Sequence, residues 1–297
     1  MEKIKKSGKP PWLRRKLPSG PNYEKIRQLV KENHLATVCQ EAMCPNQFEC
    51  YGKGTATFMI LGDHCTRNCR FCAVQHGPLG PPENDEPTRV AQAVQTMRLR
   101  YAVITSVTRD DMPDGGASHF VRTIEAIRKL SPDTLIEVLI PDLQGNWDAL
   151  DAIIQAEPDV LNHNLETVKR LYPIVRPQAI YHRSLELLRQ IKKRRGTMIT
   201  KSGMMVGLGE TTEELQTAFT DLVHAQCDIL TLGQYLQPSK DHLAVEHYLS
   251  PEKFDILKQQ ALHLGFAGVA AAPFVRSSYQ AEELYTLAAN KLVSRQQ

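Results

Sequence analysis

"TATFMILGDHCTRNCRFC", residues 55–72, joins a short apolar run to a loop carrying Cys65, Cys69 and Cys72 in the pattern C-x3-C-x2-C. The run 55–62 reads as a buried strand, and five similar runs follow at 101–107, 134–140, 159–164, 199–207 and 228–236. Between and after them, apolar residues at helical spacing predict helices over 87–98, 117–130, 147–156, 181–194, 212–225 and 251–264. A further helix is expected over 22–33, and 266–274 reads as a short apolar closing segment. Strands alternating with helices mean βαβ units and a parallel sheet.

Polar groups decide between an open doubly wound sheet and a barrel. Four strands end in them: Thr105 and Ser106; Glu137; Asn162, His163 and Asn164; Gln234 and Tyr235. A fifth strand carries Lys201 and Ser202 within it. Such residues at successive strand ends build a site at a barrel mouth, although helix capping would also use polar residues there. No dinucleotide fingerprint follows the first strand; the cysteine loop stands in its place. The expected fold is therefore α/β, a partial (β/α)6 TIM-type barrel with terminal extensions covering its mouth. Residues 1–54 form an N-terminal extension, 55–265 the barrel and 266–297 a C-terminal extension.

The chain has 297 residues, 42% hydrophobic and 23% charged, and a net charge of +3, as ordinary globular proteins do. No stretch approaches about eighteen consecutive apolar residues, so no membrane span is expected. The charge is too small to argue for nucleic acid. The first sixteen residues hold seven Lys/Arg and one Glu, a solvated tail or a docking arm for an acidic partner. No apolar run follows those charges, which disfavours a signal peptide, and Pro10 and Pro11 interrupt any amphipathic transit helix. A reducing, cytoplasmic location is expected, where clustered cysteines serve metals more than disulfides. Six of the seven cysteines fall between 39 and 72, and Cys227 stands alone, as a buried inert thiol would.

Three thiolates can hold three irons of a 4Fe–4S cube and leave the fourth iron open to chelate a small molecule. The alternative is zinc, with His64 or His76 as fourth ligand. C-x3-C-x2-C with an aromatic, Phe71, before the last cysteine resembles the signature of radical S-adenosylmethionine (SAM) enzymes. Upstream, Cys39, Cys44 and Cys50 form C-x4-C-x5-C, and "RSSY" stands at 276–279. Together with "GTATFMILG", "YAVITSVTRDDMPDGGA", "NHNLETV", "TKSGMMVGLGET" and "LTLGQYLQPS", these resemble the lipoyl synthase family over roughly residues 35–280. The final dozen or so residues look unconstrained.

The resemblance implies a sulfurtransferase of lipoate biosynthesis and protein lipoylation. It would insert sulfur at C6 and C8 of an octanoyl group amide-linked to a lysine of a carrier protein. The carriers would be the H protein of glycine cleavage and the lipoyl domains of 2-oxoacid dehydrogenases. Each insertion would use one SAM, cleaved to a 5′-deoxyadenosyl radical by an electron from the Cys65/Cys69/Cys72 cluster. Ferredoxin or flavodoxin would supply that electron. A second, auxiliary 4Fe–4S cluster on Cys39, Cys44, Cys50 and Ser278 would be the consumed sulfur donor, with Ser277 as the other candidate ligand. Phe71 belongs to the cofactor motif, while Glu137, Asn164 and Arg176 are candidates for SAM's polar ends or for salt bridges and caps. "VGLGET" (206–211) is expected near the adenosine, and Arg276 and Tyr279 to position Ser278 or line the octanoyl path. A monomer without nucleic-acid or membrane partners is expected. The rivals are a two-cluster methylthiotransferase, disfavoured because no basic, aromatic-rich RNA module is visible, and a zinc-binding scaffold.

Overall fold

The computed structural model describes residues 10–14, 20–77 and 79–296, so most of the basic arm lies outside the described residues. The N-terminal region contains α1 (Pro21–Glu32), β1 (Ala36–Thr37), α2 (Val38–Glu41) and α3 (Gln47–Gly52). Helix α1 buries Ile26, Leu29 and Val30. Tyr23 on α1 stacks on Phe48 of α3 at 5.1 Å, which docks the two helices together.

The repeating units follow. They are β2 (Thr57–Ile60), a small pair of β3 (His64–Cys65) with β4 (Gln75–His76), α4 (Glu86–Met97), β5 (Tyr101–Ser106) and α5 (Ala117–Leu130). Next come β6 (Leu135–Leu139), α6 (Trp147–Gln155), β7 (Val160–Asn162), α7 (Tyr172–Val175), α8 (Tyr181–Arg194) and β8 (Ile199–Val206). The chain ends with α9 (Thr212–His224), β9 (Ile229–Gln234), α10 (Pro251–Leu264), β10 (Gly268–Ala271) and α11 (Ala281–Gln296).

The main sheet runs β1-β2-β5-β6-β7-β8-β9-β10, in chain order and open at both ends. From β2 onward every pairing is parallel, and β1 is antiparallel to β2. This is the expected partial barrel, with two differences. The apolar segment 266–274 contains β10, which pairs with β9 as a seventh parallel strand. The last residues are not unconstrained: they form α11, whose Leu284 and Ala288 cluster with Val160, Ile199, Ile229 and Ala267. Those partners begin or just precede their strands, so α11 closes the barrel's N-terminal end. Its short apolar stripe, diluted by polar residues, explains why periodicity did not reveal it.

Helix capping does not account for the polar strand ends. The residues preceding α5, α6, α8, α9 and α10 are Gly116, Asn146, Ile180, Thr211 and Ser250, none of them a strand-end residue. Thr105, Gln234 and Tyr235 donate to backbone carbonyls, and Glu137, Asn162 and Lys201 bond to one another inside the barrel. Lys201 Nζ lies 3.0 and 2.9 Å from the two oxygens of Glu137, and both side chains are fully enclosed. Tyr101 and Asn162 also donate to that carboxylate, each at 2.7 Å. His163 is equally buried: its Nδ1 donates to the Ile140 carbonyl, and its Nε2 meets Ser184 Oγ at 3.0 Å. Burial, and then the charge of Arg176, push its pKa down to about 4.

Two outcomes are expected. Removing one partner of a buried pair strands the other's charge, so Lys201→Met should cost about 3–5 kcal/mol in denaturation experiments. Adding Glu137→Gln should recover part of that loss. His163 binds a proton more readily unfolded than folded, so stability should fall as pH drops from about 6.5 to about 4. His163→Gln should flatten that slope.

Candidate active site

The inner faces of the strands, the two cysteine segments and the stretch 275–283 enclose one cavity of about 670 Å³. All six clustered cysteines line it, together with Phe71, Asn164, Glu166, Arg176, Ser277 and Ser278. Cys227 lies elsewhere, buried, with its thiol donating to the Ile229 carbonyl; burial raises its pKa.

The first cysteine loop is shaped by backbone contacts. Cys65 sits on β3, the Cys72 amide closes a tight turn onto the Cys69 carbonyl at 3.0 Å, and the Arg70 amide donates to Val175. The N–H groups of Arg67 and Thr108 point at Cys65 Sγ, at 3.4 and 3.3 Å. His242 Nε2 donates to the Cys72 carbonyl at 2.9 Å, tying the loop after β9 to the cysteines.

In the second set, Cys39 is on α2, Cys50 is on α3, and Cys44 follows a turn in which Met43 adopts a φ of 49°. Burial pushes the Cys39 thiol up to about 12, and Cys44 adds to the shift. Cys50 rises to about 11 from the same two causes, while burial, with Cys69 and Cys65 adding, pushes Cys72 up to about 12. Within each triplet a neighbouring thiolate thus opposes ionisation of Cys39, Cys50 or Cys72, and a bound cation would relieve that repulsion. Among the described residues, no three His, Cys, Asp or Glu side chains gather closely enough for a single metal ion. A cube asks for something different, because each thiolate binds a separate iron. Thiols in threes, with backbone N–H groups aimed at sulfur, suit that kind of centre.

The C-terminal arm is pinned across the cavity from several sides. Asn46 Nδ2 donates to the Phe274 carbonyl at 2.6 Å, and the Tyr279 hydroxyl donates to Glu49 at 2.9 Å. Ser277 Oγ accepts from Asn162 Nδ2 and donates to Asn164 Oδ1, both at 2.8 Å. Ser278 Oγ instead accepts from Thr57 Oγ1 at 2.8 Å, and the Thr57 amide hydrogen-bonds to the Cys39 thiol. Room for the arm comes from missing side chains. A Cβ on Gly233 would collide with the Val275 carbonyl, and one on Gly203 would come within 2.7 Å of Asn164 Oδ1.

Arg176 follows α7, and its guanidinium donates to the carbonyls of Asn164 and Leu165, at 3.0 and 3.3 Å. It stands beside Cys69 and Glu166, and it opposes the upward pull of burial on both of their pKa values. Glu166 is the residue that sequence reading missed. It holds a φ of 67° and lines the cavity, and its only signal was a place within "NHNLETV".

Two of the expected contacts lie off the cavity wall. Glu137 does not reach the cavity; it lies mid-strand on β6, consumed by Lys201, Tyr101 and Asn162. The "VGLGET" turn also stays off the wall. Its Glu210 accepts from the amides of Gly207 and Leu208, and the Gly207 carbonyl accepts from the Glu246 amide.

Comparison with known proteins agrees with this architecture. The radical SAM superfamily model matches residues 59–222, and the model for the N-terminal domain of lipoyl synthase matches residues 1–44. A lipoyl synthase of Desulfotalea psychrophila is 66% identical over 94% of this chain and 93% of its own length. One from Alkaliphilus metalliredigens is 54% identical over 93% and 95%. The chain belongs to the lipoyl synthase family. Among solved structures, methylornithine synthase superposes with a TM-score of 0.56 at 14% identity, covering 78% of this chain and 68% of its own. Coproporphyrinogen III oxidase from Escherichia coli gives 0.51 at 15%, covering 76% and 57%. At these identities the likeness is one of fold. Membership of the family implies SAM, iron–sulfur chemistry and an octanoylated protein substrate. Among the described residues, no helix is long and apolar enough to cross a membrane.

Gly233→Ala should push the arm off β9. Limited proteolysis is expected to cut residues 272–280 markedly faster in the variant than in the unaltered protein.

Proposed function

We propose that this chain is a lipoyl synthase that inserts two sulfur atoms at C6 and C8 of an octanoyl group on a carrier lysine. The observation that carries the reading is the single cavity into which two cysteine triplets open, with Ser278 brought next to Cys39 through Thr57. When bound, a cluster on Cys65, Cys69 and Cys72 together with SAM supplies radical C–H activation, and an auxiliary cluster supplies sulfur.

The chain's own residues do the rest. Arg176 and Glu166 bring opposite charges to the cavity beside Cys69, suited to a zwitterionic cofactor: Arg176 toward its carboxylate, Glu166 toward its amine or ribose hydroxyls. Asn164 faces the same wall, but its Oδ1 is already engaged by Ser277. That engagement supports Ser277 as the anchor and favours Ser278 as the fourth ligand of the auxiliary triplet. Ser278 would hold an auxiliary cluster through oxygen, a poorer match to it than a thiolate, and would be its most readily released protein ligand. Apolar residues of the cavity wall, Val103, Ile140 and Met204 among them, offer an octanoyl chain a dry path. In this reading the carriers are H protein and the lipoyl domains of 2-oxoacid dehydrogenases, and the electron donor is ferredoxin or flavodoxin. The protein acts in the cytoplasm as a monomer, built from the segments 1–54, 55–265 and 266–297.

Anaerobic reconstitution should load about eight irons per chain, two cubes' worth. With reductant, SAM and an octanoyl-lysyl peptide, the product should gain two sulfurs by mass. 5′-Deoxyadenosine formed without that gain would refute lipoyl synthesis while leaving radical chemistry intact. Ser278→Cys should keep its iron yet release little sulfur, and full turnover by that variant would remove Ser278 from the mechanism.

A further inference from the structure

Between Cys65 and Cys69 lies Arg67, almost completely buried although it is charged. Its Nε and Nη2 reach the two oxygens of Asp110 at 2.7 and 2.9 Å, and Nη2 also reaches Asp142 Oδ1 at 2.6 Å. Asp110 belongs to the loop after β5 and Asp142 to the loop after β6, so one guanidinium joins three loops at the barrel mouth. Arg183 stands 3.6 Å from the other Asp142 oxygen. Burial works against the Arg67 charge, but the two aspartates more than offset it. A second set of bonds repeats the attachment. The amide and hydroxyl of Thr66 both donate to the Thr108 carbonyl, at 3.0 and 2.9 Å, and the Asp110 amide donates back to Thr66 Oγ1 at 3.1 Å.

What this clamp holds still is informative. The two N–H groups aimed at Cys65 Sγ belong to Arg67 itself and to Thr108, whose loop is tied to the cysteine loop by the Arg67–Asp110 and Thr66–Thr108 bonds. Buried ion pairs are a poor route to stability alone, because desolvation offsets much of their attraction. Their advantage is geometric, since a bidentate fork fixes orientation where a point charge does not. Hydrogen bonds to a cluster's thiolate favour its more electron-rich, reduced form and so raise its reduction potential.

We propose that Arg67 is a positioning residue. Held by Asp110 and Asp142, it fixes the cysteine loop so that two backbone N–H groups stay on the Cys65 thiolate and set the reduction potential of the cluster bound there. This rests on the reading that Cys65, Cys69 and Cys72 hold an iron–sulfur cluster. The clamp lowers the reducing power demanded of the electron donor without touching SAM.

The test is a redox titration of the holoenzyme followed by electron paramagnetic resonance, with the signal that shifts on adding SAM assigned to this cluster. Arg67→Lys keeps the charge but loses the fork, Thr66→Val removes a hydroxyl hook and no charge, and Asp142→Asn removes a negative charge. All three should lower the midpoint potential of the SAM-responsive cluster and leave the auxiliary cluster's unchanged. 5′-Deoxyadenosine formation should slow with the physiological type of donor and recover with a stronger chemical reductant, at nearly constant KM for SAM. The sign in Asp142→Asn is decisive, because loss of a negative charge alone raises the potential; a rise would overturn the clamp in favour of simple charge. Unshifted potentials in Arg67→Lys and Thr66→Val at full iron content would also overturn it. If Arg67→Lys fails to fold or hold iron, Thr66→Val decides. A SAM-responsive signal absent from the unsubstituted protein would instead sink the cluster reading underneath.

Discussion

A buried charge pair organises the interior of this barrel. Lys201 on β8 and Glu137 on β6 meet where no water reaches them, and the remaining hydrogen-bonding capacity of the carboxylate must be met by protein. Asn162 on the intervening strand meets part of it with one N–H and passes the other to Ser277. Ser277 passes its own proton to Asn164. A continuous polar chain thus runs from the heart of the sheet to the C-terminal arm, and the arm's position follows from it. With Ser277 used as the anchor, its neighbour Ser278 turns toward Thr57 and the Cys39 thiol.

The two cysteine triplets meet one cavity from different parts of the chain, and each is incomplete in its own way. The loop after β2 is held by backbone donors and the Arg67 clamp, a rigid arrangement suited to a centre that must keep its geometry while exchanging electrons and ligands. The upstream triplet faces an arm from more than two hundred residues away, held through side-chain bonds at Asn46, Glu49 and Thr57. In the proposed function, the clamped loop would serve the electron-accepting cluster, and the side-chain-held arm would bring an oxygen ligand to the cluster that surrenders sulfur.

Much of the architecture was readable from residue order. Strand and helix positions followed from apolar periodicity, and the observed elements fall within a residue or two of those expected, as with 117–130 for α5 and 251–264 for α10. The misses share a cause. Helix α11 and strand β10 have weak local patterns, because their partners are the N-terminal strand ends and β9, contacts that exist only once the barrel has formed. The ion pair of Glu137 was not legible because a glutamate at a strand end and one in mid-strand look alike until the neighbouring lysine is known to face it. Glu166 was overlooked because no spacing marks a lone carboxylate.

By itself the sequence determined the family, the alternating strands and helices, and the membership of each cysteine triplet, since all of these depend on local spacing and residue type. Only the tertiary structure decided which polar side chains face the cavity and which are spent on one another. It assigned Glu137 to an interior ion pair, Ser277 to anchoring, and Ser278 to the neighbourhood of the upstream thiols. The physical reason is that a buried polar group takes whatever partner the fold brings within hydrogen-bond reach, and sequence distance says nothing about that reach.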